Sequence, residues 1–295
     1  MTLNPNQRGI LAMTLAMGCF VTNDALVKLV SASLPAAELI FVRGLLSTLM
    51  LGTVALALGQ FKRSPDAPHT SALSHMLARP VWVRAVLDAT TTVAYLTSLF
   101  HLPIGNATAI SMVTPLLITL YAVLMWGERV GLARWLAIVM GFVGVLLIVQ
   151  PQADGFNAWA LVCLLSTALQ AARDLVTRSI SPSVPSLLIS LATAAVITFL
   201  SGLFCLFTPW VALVPLHWLL LVMASALLSA AYYLIIVGMR NGDMSLIAPF
   251  RYAGLLFALL FGWLVWHELP NALAWGGIGL LLGAGLWVLR SENQR

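Results

Sequence analysis

The stretch Leu116–Leu146, LLITLYAVLMWGERVGLARWLAIVMGFVGVL, decides how this chain is built, because it occurs twice. Displaced by 140 positions, Leu116, Leu120, Leu124, Trp126, Glu128, Trp135, Ile138 and Leu146 fall on Leu256, Leu260, Leu264, Trp266, Glu268, Trp275, Ile278 and Leu286 without a gap. Each copy is an apolar run, a Trp-x-Glu sequence, a short polar break and a second apolar run that Trp opens. A long-period repeat of this kind means a chain assembled from two halves.

Composition names the solvent. The 295 residues are 61% hydrophobic and 8% charged, with a mean hydropathy of +0.98. Soluble domains carry about 25% charged residues, so this much apolar surface implies a lipid environment. A membrane chain made of repeated halves is first of all a transporter. The net charge of +5 fits Lys and Arg gathered in cytoplasmic loops. No basic run interleaved with aromatics suggests nucleic acid. Cys19, Cys163 and Cys205 stand alone in separate apolar runs, without the spacing of a metal site or a disulfide framework. No metal and no cofactor is therefore expected.

A membrane span takes about 20 mostly apolar residues. The apolar runs are Gly9–Val30, Ala36–Gly59, Pro80–His101, Asn106–Trp126, Leu132–Gln150, Asn157–Ile180, Pro185–Thr208, Leu216–Met239, Met244–Trp266 and Ala272–Leu289. They predict an all-α membrane protein of ten transmembrane helices. The one long connection is Gln60–Arg79. With the N-terminus inside, Arg8, Lys62, Arg63, Arg79, Arg129, Arg134, Arg178, Arg240, Arg290 and Arg295 lie on the cytoplasmic side. The opposite loops hold no Lys or Arg, which predicts both termini in the cytoplasm.

Five helices are an odd number, so the second half enters from the other side. The expected architecture is two inverted five-helix repeats, residues 1–150 and 151–295, around a central cavity. Arg129 and Arg134 flank the first Trp-x-Glu copy, and Leu269 and Ala274 replace them in the second. The scaffold repeats while the orienting charges do not. Further echoes join Asp24, Lys28, Ser31 and Pro35 to Asp174, Arg178, Ser181 and Pro185 at an offset of 150, and Tyr95 to Tyr232 at 137.

Ionisable groups at membrane depth are expensive unless paired, hydrated or facing a cavity. Asp24 with Lys28, and Asp174 with Arg178, are spaced i, i+4 on one helix face; each is either a self-neutralised pair or a gate at a pore mouth. Arg173 has Asn23 as its repeat counterpart and can hold either a ligand carboxylate or a protein acid. Arg84 and Asp88 form another i, i+4 pair, with Thr91, Thr92 and Tyr95 continuing a polar stripe that is either a pathway or a helix–helix seam. Arg251 follows Pro249 and has no acid nearby in sequence, so with Tyr252 it reads as a pathway contact. Phe20, Met112 and Tyr232 supply an adaptable apolar wall. Glu128 and Glu268 read as interfacial tethers, and the glycines Gly141, Gly144, Gly276, Gly277, Gly279, Gly283 and Gly285 as points of close helix approach.

Read together, Gly105-Asn106-Ala107-Thr108-Ala109 through Pro115 to Gly127-Glu128-Arg129, Trp135 and Gly141-Phe142-Val143-Gly144-Val145, with Asp24-Ala25-Leu26-Val27-Lys28, Ala248-Pro249-Phe250-Arg251-Tyr252 and His267-Glu268-Leu269-Pro270, resemble the ten-helix EamA-type members of the drug/metabolite transporter superfamily. The resemblance covers nearly the whole chain. It implies two inverted five-helix repeats, a central cavity between them and an inner-membrane exporter of amino acids or other metabolites. Importers of S-adenosylmethionine, riboflavin and sugars are also implied relatives. It supplies no fixed substrate motif.

The expectation is therefore a secondary transporter in the bacterial inner membrane. Its preferred substrate is an amino acid leaving the cell, with Arg251 or Arg173 for the carboxylate and Asp24, Asp88 or Asn23 for the ammonium. A monomer contains both repeats and suffices, though a dimer is compatible with the same halves. An intramembrane enzyme is the competing class, and no GxSxG, no HExxH and no paired acids with a His support it; the absence of a phosphate-binding loop speaks against direct ATP hydrolysis.

Overall fold

The computed structural model describes residues 4–61, 78–126, 131–150, 157–180, 184–240 and 248–292, and among these every regular element is helical. In chain order these are α1 (Pro5–Ser31), α2 (Ala36–Ala57), α3 (Arg79–His101), α4 (Ile104–Ser111), α5 (Thr114–Trp126), α6 (Leu132–Val149), α7 (Trp159–Arg178), α8 (Ser186–Cys205) and α9 (Pro215–Arg240). A 3-10 turn (Ala248–Tyr252), α10 (Ala253–Trp266) and α11 (Ala272–Glu292) complete the chain. Most of the long connection after Gln60, and Glu128 and Arg129 of the first Trp-x-Glu copy, lie outside the described residues.

Five described helices are long and apolar enough to cross a membrane: Gln7–Ser31, Ala36–Ala57, Trp159–Thr177, Leu187–Cys205 and Pro215–Ile235. Of the other elements, α3 carries Arg84, Asp88, Thr91 and Thr92 on its inward side, so its apolar character is diluted where it faces inward. Asn4 starts α1 with a capping box, its Oδ1 accepting from Gln7 N–H at 2.8 Å while Gln7 Oε1 accepts from Asn4 N–H at 3.1 Å.

The fourth and ninth apolar runs are not single α-helices, and here the structure corrects the expectation. Met112 and Val113 separate α4 from α5, and the 3-10 turn precedes α10. Pro115 has no N–H to give the Ser111 carbonyl; the Thr114 hydroxyl donates to that carbonyl instead, at 2.6 Å. The break at Met112–Val113 and the start of α10 at Tyr252–Ala253 stand 140 positions apart, the same offset that relates the duplicated stretches. An interrupted helix at membrane depth is tolerated where its backbone is enclosed by protein or lines a cavity.

The helices pack in matching pairs. α1 lies along α9, and α7 along α3; α2 touches α9, and α8 touches α3; α1 meets α10, and α7 meets α5. Two contacts join elements that the repeat equates, α2 with α8 and α6 with α11, and α4 meets α10 where the fourth and ninth apolar runs approach each other. Thr48 and Thr198, 150 positions apart, face each other across the first of these with hydroxyls 3.2 Å apart.

Leu39, Leu99, Ile104, Ile110, Leu116 and Leu221 are buried between the helices. Leu124, Phe199 and Leu256 lie on the periphery, 70%, 65% and 68% exposed, where a bilayer supplies the solvent for their side chains. Hydroxyls in the bundle satisfy themselves on their own helix, as when Thr22, Thr97 and Thr198 donate to the carbonyls of Gly18, Val93 and Ala194 at 2.7 Å.

α6 and α11 cross backbone to backbone. A Cβ on Gly144 would meet the Gly277 carbonyl oxygen at 2.7 Å, and a Cβ on Gly277 would strike the Gly144 carbonyl. Small residues permit this approach in lipid, where packing replaces the hydrophobic effect as the driving force between helices. Gly276, Gly279 and Gly283 do not take part, since nothing stands within 4 Å of a Cβ built on them. They lie on other faces of the same helix.

Candidate functional site

A polar cavity of about 320 Å³ lies within the bundle, lined by residues of α1, α2, α3, α4, α7, α8, α9, the 3-10 turn and α10. Its polarity follows from helix periodicity, because residues three and four apart share a face. Thus Phe20, Asn23 and Asp24 reach it from α1, Asp88, Thr91 and Tyr95 from α3, and Gln170 and Arg173 from α7.

Two polar clusters stand in its wall. In the first, Asp24 accepts from the Tyr95 hydroxyl at 3.0 Å and from the Asn23 amide at 2.9 Å. The Asn23 carbonyl oxygen in turn faces Arg43 Nη1 at 3.4 Å. The second centres on Arg173. Its Nη1 donates to Asp88 Oδ1 at 2.6 Å, and its Nη2 and Nε donate to Asp174 Oδ1 at 2.7 and 3.0 Å. Arg84 completes it, with Nη1 3.6 Å from Asp88 Oδ2 and further donation to Thr177 and Thr193 hydroxyls at 3.0 and 2.6 Å.

The two clusters share a local pattern. Asn23 donates to the carboxylate of the next residue, Asp24, and Arg173 donates to the carboxylate of the next residue, Asp174. These are the positions that the 150-residue offset equates. The longer, charged Arg173 also reaches across to α3, where Asp88 is buried with its side chain only 6% exposed.

Most of the residues singled out from the sequence come together here. Asn23, Asp24, Phe20, Asp88, Thr91, Tyr95, Met112, Arg173, Tyr232 and Arg251 all line the one cavity. Phe20 and Tyr232 meet edge to face with centroids 5.3 Å apart. Arg251 stands on the 3-10 turn at the cavity wall and is exposed.

Tyr252 does not follow Arg251 inward. Successive residues of a 3-10 turn point about 120° apart, and Tyr252 lies against Gly285 of α11 instead, its buried hydroxyl without a partner among the described residues.

The expected self-pair of Lys28 with Asp24 is not formed. Asp24 turns inward to Tyr95, while Lys28 runs toward the C-terminal end of α1. There its ammonium donates to the Leu102 carbonyl at 2.6 Å and to Glu268 Oε2 at 3.4 Å, and lies 4.8 Å from the centroid of a Trp266 ring. The second Trp-x-Glu copy thus grips a cation from α1. Asp174 is held by Arg173, and the side chain of Arg178 lies outside the described residues.

Several polar residues of the cavity were not marked out by the sequence. Arg43 and Ser47 lie one turn apart on α2, and Gln170 on α7. Arg43 carried the same signal as Arg251, an ionisable group inside an apolar run. Arg43, Arg84, Arg173 and Arg251 against Asp24 and Asp88 make the lining cationic. Among the described residues no group of three His, Cys, Asp or Glu side chains could hold a metal.

Comparison with known proteins finds a match to the EamA-like transporter family over residues 7–150 and again over 157–290. The chain belongs to the EamA-like transporter family. A riboflavin transporter of Rhizobium johnstonii is 32% identical over 212 residues, 72% of this chain and 70% of that protein. The pseudopaline exporter of Pseudomonas aeruginosa is 28% identical over 295 residues, 99% of this chain and the full length of the relative. An S-adenosylmethionine uptake transporter of Rickettsia bellii is 23% identical over 272 residues, 92% and 90% of the two chains. A crystal structure of a protein 22% identical in sequence superposes with a TM-score of 0.65 over 97% of this chain and 98% of the other, a likeness of fold. With its apolar helices and this family membership, the chain is a multi-pass membrane transporter of small metabolites.

Proposed function

We propose that this protein is a secondary transporter that exports an amino acid across the bacterial inner membrane by alternating access through the central cavity. The observation that carries the reading is the cavity itself, which gathers Asp24, Asp88, Arg173 and Arg251 beside Phe20, Met112 and Tyr232. A carboxylate would be met by Arg251 or, in exchange for its bonds to Asp88 and Asp174, by Arg173, and an ammonium by Asp24, whose hydrogen-bond partners are neutral. The aromatic and thioether side chains form a wall that adapts to side chains of different shape.

Residues 1–150 and 151–295 are, in this account, inverted repeats. The two matches to the family, the paired helix contacts and the Thr48–Thr198 contact support it. Both termini are assigned to the cytoplasm from the distribution of Lys and Arg. That assignment puts Lys28, Leu102 and Glu268 at the periplasmic end as an outer gate, with the Arg173 cluster nearer the cytoplasm. Rocking one repeat against the other would open the two ends in turn.

A second reading is uptake of a larger metabolite, as the names of the riboflavin and S-adenosylmethionine relatives suggest. Purified protein in proteoliposomes separates the two. Saturable flux of labelled amino acids that riboflavin and S-adenosylmethionine do not inhibit is the expected result. Flux of riboflavin or S-adenosylmethionine without any amino acid flux would replace the first reading with the second.

A further inference from the structure

We propose that Arg43, Ser47 and Thr91 form an oxyanion subsite in the cavity, which receives a further carboxylate or a phosphate group of the transported molecule, apart from the carboxylate assigned to Arg251 or Arg173. The proposal rests on the transport reading for its ligand and on three buried side chains for its chemistry. Arg43 is 6% exposed, Ser47 4% and Thr91 5%. Each lines the cavity. Among the described residues Arg43 Nε, Ser47 Oγ and Thr91 Oγ1 have no hydrogen-bond partner. Arg43 and Ser47 are spaced i, i+4 and share one face of α2, and α3, which carries Thr91 on the same cavity, touches α2.

Buried polar atoms are nearly always partnered, and these three, on residues that line one cavity, each carry a donor hydrogen for an acceptor that enters it. The case of Arg43 is the sharpest. Among the described residues no carboxylate lies within 4.0 Å of its guanidinium, which donates through Nη1 to Asn23 Oδ1 at 3.4 Å. Asn23 stands between it and Asp24. Arg84 and Arg173, by contrast, are each engaged with Asp88. Guanidinium presents a fork of N–H donors matched to a carboxylate or phosphate edge, and two hydroxyls supply further donors to the same oxygens. No acid in the cavity occupies this position, so an oxyanion fits it better than an amine does.

The test measures binding to the purified full-length protein, apart from flux. Thermal stabilisation is titrated with succinate, inorganic phosphate and, as the uncharged match to succinate, succinamide. The expected result is saturable stabilisation by succinate or phosphate and none by succinamide; whichever oxyanion acts at the lower concentration identifies the group. Arg43→Gln should weaken that response about tenfold or more, since a hydrogen bond to a charged group contributes about 1.5–3 kcal/mol. Ser47→Ala with Thr91→Val should weaken it severalfold and carries the test if Arg43→Gln does not fold. Equal responses to succinate and succinamide, or an unchanged oxyanion response in the folded variants, would overturn the subsite. Amino acid flux in proteoliposomes stands or falls separately: a subsite without flux sinks the transport reading alone, and flux with an unchanged oxyanion response sinks the subsite alone.

Discussion

Arg173 of α7 and Asp88 of α3 meet at 2.6 Å inside the bundle, with side chains 16% and 6% exposed. The same guanidinium holds Asp174, and the same carboxylate faces Arg84 at 3.6 Å. Removing one partner of a buried pair leaves a charge uncompensated and destabilises by about 3–5 kcal/mol. Asp88→Asn is therefore expected to lower the melting temperature in detergent clearly and to abolish flux. Asp88→Asn combined with Arg173→Gln should recover part of the stability and none of the flux. Additive losses of stability in a double-mutant cycle would show that the two side chains are not coupled.

Lys28 ties α1 to the end of α3 and to Glu268, and its strongest contact is the 2.6 Å donation to the Leu102 carbonyl. Lys28→Met removes that tie, which as a charge-assisted bond contributes about 1.5–3 kcal/mol. The outer end should open more often. In a background with Cys19, Cys163 and Cys205 replaced by Ser, a cysteine introduced at Met112 should react about tenfold faster with a membrane-impermeant maleimide added from the periplasmic side. An unchanged rate would remove Lys28 from the gate.

The α6–α11 crossing depends on two glycines. Gly144→Val and Gly277→Val place a side chain against a facing carbonyl and should force the helices apart. Overpacking of this kind destabilises by about 1–3 kcal/mol or more. Gly279→Val meets no neighbour within 4 Å and should leave the melting temperature nearly unchanged. Equal tolerance at Gly277 and Gly279 would contradict the described packing.

Tyr95 donates to Asp24 at 3.0 Å. Tyr95→Phe removes one of the carboxylate's two neutral donors while keeping the ring. Flux should fall severalfold with little change in stability, whereas a loss of folding equal to that of Asp88→Asn would mark Tyr95 as structural.

The bundle was legible in the sequence because hydropathy and the duplicated stretch act over long segments and survive local irregularity. The breaks at Met112–Val113 and before Ala253 were less so, since hydropathy runs smoothly across them and only Pro115 and Pro249 hint at a change of geometry. The cavity residues Asp88, Arg173 and Arg251 announced themselves as ionisable groups in apolar runs. Their partners did not. Spacing i, i+4 suggested Asp24 for Lys28, but Glu268, 240 positions away, is brought there only by tertiary packing. Arg43 obeyed the same rule as Arg251 and lacked the neighbouring proline and aromatics that draw the eye.

The central claim is that a metabolite crosses through this cavity, and a comparison of loaded vesicles tests it most directly. Vesicles containing the protein, its Asp88→Asn variant or no protein are filled with a whole-cell small-molecule extract, and the compounds leaving them are followed by mass spectrometry. The account predicts that at least one amino acid leaves faster from vesicles with the unaltered protein than from the other two. Identical efflux of every compound from all three would contradict it.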